Sequence, residues 1–175
     1  MIPNLRDVGE TVNLIIGKTV LREGQLFRGG SINDLFSNEE LPPVRTVINL
    51  RKGPDRRFDR VTNIHIPATD TLDNYLTQNN RIQVWINQVL SVICLSAQWP
   101  ILLHCSAGKD RTGVVVATIL KAIGIEDNAI KQEYLFSEGI KDPAHIDIAL
   151  AGINPVNEYI YDLQVVGILC EKLIL

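Results

Sequence analysis

Hydrophobic residues recur along this chain in two rhythms. Between Asn80 and Ala97, the residues Ile82, Trp85, Ile86, Val89, Leu90 and Ile93 fall at i, i+3, i+4, i+7, i+8 and i+11. That repeat lines one face of an α-helix. Thr112–Ile123 is apolar nearly all round and predicts a buried helix, with Gly124 as its stop. A third helix is expected after Glu126-Asp127, continuing through Lys131–Ser137, and further helices from Pro143 to Leu175 with a break near Gly152–Pro155. Short β-branched runs predict strands at Thr19–Leu21, Leu26–Arg28, Thr46–Leu50, Asn63–Ile66 and Ile101–His104. Val47–Leu50 and Ile101–Leu103 lack strict alternation, as expected of central strands covered on both faces. Strands alternating with helices point to an α/β fold: a central, mostly parallel twisted sheet flanked by helices. Composition does not shift along the chain, so residues 1–175 are expected to form one domain.

Charge and composition narrow the function. The net charge of −3 offers no basic excess for a nucleic-acid binder. Three cysteines (Cys94, Cys105, Cys170) are an odd, unpaired set, which suits a reducing, cytoplasmic setting better than a disulfide framework. No stretch reads as a signal peptide, a membrane span or an amphipathic anchor. His65 and His145 have no evident partners, and no cluster has metal-ligand spacing, so chemistry without metal or cofactor is expected.

The chemistry concentrates in His104-Cys105-Ser106-Ala107-Gly108-Lys109-Asp110-Arg111-Thr112-Gly113. This stretch joins a predicted strand, ending at His104, to a predicted helix opened by Gly113. Parallel sheets place ligands beyond the carboxyl ends of their strands. A helix start offers free amides and a positive dipole end, a seat for an anion. Ala107 and Gly108 let the backbone approach such a ligand closely. Arg111 supplies a planar fork for two phosphate oxygens. Cys105, at the floor of this positive site, is favoured as a thiolate that can attack phosphorus in line. A nucleotide-binding loop is excluded, because Leu103 stands where its first glycine belongs and Asp110 follows Gly108-Lys109.

The stretch resembles the His-Cys-five residues-Arg-Ser/Thr-Gly signature of the cysteine-dependent protein tyrosine phosphatase superfamily. Asn4-Leu5-Arg6-Asp7, Phe27-Arg28-Gly29-Gly30 and Val47-Ile48-Asn49-Leu50-Arg51 are similar to segments of its dual-specificity and bacterial tyrosine- and lipid-phosphatase-like branch. The His-Cys start and Arg-Thr-Gly end set it apart from rhodanese-like sulfurtransferases. The resemblance implies a phosphate cradle formed by Ser106 to Arg111, with His104 orienting the loop. It also implies that the Thr112 hydroxyl lies near the sulfur; a helix-start hydroxyl satisfying an amide is the plainer role. Cys94 and Cys170 read as packing residues.

The departing oxygen needs a proton. Asp70, which is 35 residues before Cys105, lies where related dual-specificity phosphatases carry their acid loop. Asp70 is therefore the expected general acid and Asp73 the alternative; a turn cap and a helix N-cap are their plain roles. Asp110 is a site residue without a fixed role, sharing proton transfer or orienting Arg111. Lys109 is a second cation in the cradle, and the resemblance links such lysines to phosphoinositide substrates. In Arg51–Arg60, five cations against two acids leave a local charge of +3, a rim that would draw polyanions. The expected substrate is a phosphorylated protein, of the phosphotyrosine or dual-specificity kind. A phosphoinositide or inositol phosphate is the alternative, and a catalytically weak phospho-binding module a further one.

Overall fold

The computed structural model describes residues 1–140 and 142–175. The chain opens with strand β1 (Arg6–Asp7) and helix α1 (Val8–Ile16), neither of which the hydrophobic rhythm revealed. Asp7 ends the strand and caps the helix, its Oδ1 accepting from the amides of Gly9 at 2.8 Å and Glu10 at 3.4 Å. Strands β2 (Leu26–Gly29), β3 (Thr46–Asn49) and β4 (Thr62–His65) follow. Then come α2 (Asn80–Leu95), β5 (Ile101–His104), α3 (Asp110–Ala122) and α4 (Asp127–Leu135). The chain closes with α5 (Ala144–Gly152), α6 (Val156–Tyr159) and α7 (Leu163–Leu173), broken at 153–155 as expected.

The sheet runs β1-β2-β5-β3-β4, with β2, β5, β3 and β4 parallel and β1 antiparallel at one edge. Every residue of β3 and β5 is buried, so both are central strands covered on both faces. Ile48, Ile101 and Leu103 join the large core beneath α2, α3, α5 and α7, while Val47 and Leu102 point the other way. Loop residues Ile2, Ile32, Leu35 and Phe58 cover that second face. Each such side chain contributes about 1.5–3 kcal/mol by leaving water. Among the described residues no helix is long and apolar enough to cross a membrane.

The strand expected at Thr19–Leu21 does not form; Leu21 makes only an isolated bridge to Ile174. Asn13 of α1 takes the place of a neighbouring strand. Its Oδ1 accepts from the amides of Val20 and Leu21, both at 2.9 Å, and its Nδ2 donates to the Leu21 carbonyl at 2.9 Å. With those groups satisfied by a side chain, the segment has no need of a sheet.

Candidate active site

The carboxyl ends of β3, β4 and β5 meet at one edge of the sheet. The Leu50 amide donates to the His104 carbonyl at 2.9 Å, and Ala68, beyond β4, donates to Leu50 at 3.2 Å. This stitching brings the segment carrying Asp70 beside the loop that starts at Cys105. Helix α3 opens at Asp110, three residues earlier than Gly113, so Arg111 and Thr112 lie in its first turn.

Cys105 is buried at the foot of the loop and Arg111 is 2% exposed. The Arg111 guanidinium donates through Nη1 to the Ala68 carbonyl at 3.2 Å and through Nη2 to Ser106 Oγ at 3.0 Å. Nη2 also lies 3.0 Å from Asp70 Oδ1. Asp70 reaches Arg111 through an ion pair, with its own side chain 67% exposed, and caps no turn among the described residues. Asp73 caps no helix either; α2 is capped by Asn79, whose side chain accepts from the Arg81 amide.

Gly108 has φ +70, and a Cβ there would lie 2.3 Å from the backbone carbon of Gly29 and 2.6 Å from the amide nitrogen of Gly30. Its glycine is required by that contact with β2 as well as by the left-handed turn, rather than by the approach of a ligand alone.

Two loop side chains lie away from their expected places. Lys109 Nζ donates to the Gly139 carbonyl at 2.9 Å and stands 3.9 Å from Asp110 Oδ2, so it is turned aside from the cradle. Asp110 does not orient Arg111. Its Oδ1 accepts from the Tyr75 hydroxyl at 2.5 Å, and Tyr75 shares a 2.6 Å hydrogen bond with Tyr134. Burial and then Asp110 push the Tyr75 hydroxyl well above the ordinary tyrosine range, and burial raises Tyr134 as well. Among the described residues the buried Thr112 hydroxyl has no hydrogen-bond partner, so it satisfies no amide there.

His104 is fully buried and its Nε2 meets Asp55 Oδ2 at 2.6 Å. Asp55 Oδ1 also accepts from Arg51 Nη1 at 3.2 Å. The basic rim is thus partly consumed from within. Arg56 donates to the Leu35 carbonyl at 3.0 Å and Arg60 pairs with Glu39 at 3.1 Å. The two lone histidines do have partners: His65 Nε2 bonds the Arg51 carbonyl at 2.8 Å, and His145 stacks on Tyr75 with centroids 4.9 Å apart.

Behind the loop lies a buried charge cluster that the sequence did not announce. Glu133 of α4 pairs through Oε2 with Arg28 Nη1 at 2.6 Å and through Oε1 with Arg6 Nε at 2.8 Å. Burial, then the repulsion of Arg28, lowers the Arg6 guanidinium to about 10, against the pull of Glu133. Arg28 also reaches the carbonyls of Gly108 and Lys109, and Asn4 Nδ2 that of Ala107.

The arrangement is a short loop that starts at a buried thiol and ends at a buried guanidinium paired with a carboxylate. A family model described as the tyrosine phosphatase family matches residues 1–160. The chain belongs to the tyrosine phosphatase family. It is 42% identical over 69 residues to the triple specificity protein phosphatase PtpB of Mycobacterium tuberculosis, a match spanning 39% of this chain and 24% of that protein. Over 73 residues it is 41% identical to the tyrosine-protein phosphatase-like protein OCA2 of Saccharomyces cerevisiae, spanning 41% of this chain and 37% of that one. Both matches cover well under half of those relatives' lengths. Among solved structures, Pseudomonas aeruginosa TpbA is similar with a TM-score of 0.53 at 19% identity, covering 85% of this chain and 86% of that one. The catalytic core of the PP-IP phosphatase SIW14 from Saccharomyces cerevisiae gives 0.52 at 16% identity, covering 79% and 93%. At such identities the likeness is one of fold.

For this tyrosine phosphatase family member, sequence reasoning singled out Cys105, Arg111 and Asp70; the fold pairs Arg111 with Asp70 and buries Cys105 at the start of the same loop. It missed Asp55, Tyr75 and Glu133. Asn4, Arg6 and Arg28 were visible only as family-like segments with no task attached; the structure places all three around the back of the loop.

Proposed function

We propose that the chain hydrolyses phosphate monoesters, with a phosphorylated protein of the phosphotyrosine or dual-specificity kind as its substrate. The observation that carries this reading is the 3.0 Å pairing of Arg111 with Asp70, from the segment beyond β4, at the end of a loop that leaves a buried strand at the buried Cys105 and enters a buried helix. A phosphate dianion competes with the Asp70 carboxylate for the Arg111 fork, taking two of its donors while loop amides receive the remaining oxygens. The Cys105 sulfur attacks phosphorus, a P–S bond forms, and the ester P–O bond breaks in line. Asp70, released from Arg111 into solvent, takes up a proton there and donates it to the leaving oxygen, becoming a carboxylate again. A water molecule then attacks the phospho-cysteine, giving its proton to Asp70; the P–S bond breaks and inorganic phosphate departs. The free thiol this cycle requires suits a reducing compartment such as the cytoplasm.

An inositol phosphate or phosphoinositide is the second reading. The two features that would favour it, Lys109 and the basic segment after β3, are largely engaged by protein groups. The protein substrate is therefore preferred.

The test is hydrolysis of para-nitrophenyl phosphate. Cys105→Ser should abolish turnover while keeping vanadate or phosphopeptide binding. A serine variant that turns over at the parental rate would remove the covalent mechanism. A parental chain that binds phosphopeptide without hydrolysing it would make this a binding module.

A further inference from the structure

The cradle is held from outside along four successive carbonyls. Ser106 accepts from the Ser31 amide at 2.9 Å and Ala107 from Asn4 Nδ2 at 2.8 Å. Gly108 accepts from Arg28 Nη2 at 2.9 Å; Lys109 receives the same nitrogen at 3.4 Å and the Gly113 amide at 2.8 Å. In a trans peptide the N–H points opposite to the C=O. Each carbonyl drawn outward therefore turns the next amide, from Ala107 through Asp110, toward the other side of the loop. A carbonyl that accepts a hydrogen bond also polarises its own peptide unit and makes that N–H a stronger donor. The donor to two of these units is a cation.

Arg28 divides its fork: Nη1 serves Glu133 and Nη2 serves the loop. Its charge is balanced inside the protein, since Arg28 is 0% and Glu133 1% exposed in their side chains. Glu133 in turn takes Arg6, which also donates to the Glu133 carbonyl and Ser137 Oγ, both at 2.9 Å. Asn4 is fixed by the Glu138 amide, which donates to its Oδ1 at 2.8 Å. An ion pair that served packing alone would have no reason to aim half of its fork at the phosphate loop.

We infer that Arg28, charge-balanced by Glu133, and Asn4 are positioning residues that turn and polarise the amides on which the substrate's phosphate rests. They never touch the substrate; they act through the peptide groups of Ala107 to Asp110. This inference rests on the phosphatase reading, because it gives those amides an oxyanion to hold.

The experiment uses the full chain in three variants, each checked for a cooperative thermal transition. One combines Arg28→Met with Glu133→Leu, which removes both buried charges and leaves Arg6 its carbonyl and hydroxyl acceptors. Arg28→Lys keeps the charge and loses the fork. Asn4→Ala removes a single clamp. Two readouts separate positioning from mere stability: the inhibition constant of orthovanadate, and the pH profile of Cys105 alkylation by iodoacetate, followed by peptide mass spectrometry. The double variant should weaken vanadate by about tenfold or more, from the loss of charge-assisted bonds, and move the alkylation profile to higher pH. Arg28→Lys should recover part of both changes, and Asn4→Ala should shift both slightly in the same direction. Folded variants with parental vanadate inhibition and a parental alkylation profile would reduce Arg28 to a packing residue and overturn the inference. Should the double variant not fold, the same two readouts on Arg28→Lys and Asn4→Ala decide. A parental chain that neither hydrolyses para-nitrophenyl phosphate nor is inhibited by vanadate fails differently, because then the phosphatase reading itself is lost.

Discussion

Two arginines lie buried at the same end of the sheet, and they differ in the company they keep. Arg28 faces Glu133, a carboxylate as buried as itself, and spends its remaining donors on backbone carbonyls. Arg111 faces Asp70, a carboxylate mostly in solvent, along with one hydroxyl and one carbonyl. Separating the first pair would strand two charges in a medium that solvates them poorly. Separating the second leaves Asp70 in water, at little cost. One guanidinium is therefore committed to the fold, while the other is free to change its partner. Burial of an arginine alone does not tell structure from function; the exposure of its partner does.

That contrast sets the order of expected effects. Arg111→Lys keeps a cation and loses the fork, so kcat/KM for para-nitrophenyl phosphate should fall by about a thousandfold, the scale of losing a preorganised oxyanion donor. The thermal transition should hardly move, and a large drop in it would blur the line between the two arginines. Glu133→Leu should do the reverse in kind. It leaves Arg6 and Arg28 without their counter-charge and should cost about 3–5 kcal/mol in urea denaturation. Asp70→Asn should leave stability within about 1 kcal/mol of the parent while slowing hydrolysis by about a hundredfold. If Asp73→Asn slows it instead, the acid lies elsewhere in the same loop.

The smallest effect concerns Tyr75, which ties the end of the acid loop to Asp110. Burial and the Asp110 hydrogen bond raise its hydroxyl above the ordinary value near 10. The folded state therefore retains a proton that the unfolded chain loses above that pH, and the stability linked to it is whole below pH 10 and declines above. Urea midpoints measured at pH 9 and pH 11 should show this decline. Tyr75→Phe should flatten it by up to about 1.4 kcal/mol per pH unit. An identical slope in the variant would mean that Tyr75 carries none of it.

The candidate cradle stood out in the sequence because its groups are contiguous: thiol, small residues and guanidinium share ten positions between two apolar runs. Helix α2 was legible for a similar reason, since its apolar stripe is a local repeat. The supports were not. Asn4 meets the loop across 103 residues and Arg28 across 80, Glu133 reaches it only through Arg28, 105 residues away, and a lone glutamate on α4 carries no periodic mark. Lys109 and Asp110 were misplaced because a charge in a binding motif reads as facing the ligand. The carbonyl of Gly139 and the hydroxyl of Tyr75 lie beyond any local pattern. Thr19–Leu21 misled for the opposite reason: its β-branched composition was genuine, but Asn13 had already met its backbone needs.

The contact of Gly108 with the Gly29–Gly30 backbone has one more outcome. A side chain at Gly108 would run directly into the main chain of Gly29 and Gly30, so no rotamer change can set that spacing. The approach of the loop to β2 is fixed there by main chain against main chain. A descendant of this protein that came to accept a longer or shorter phosphoester would have to change its walls, the segments around Asp70 and Gly139, and leave the base untouched.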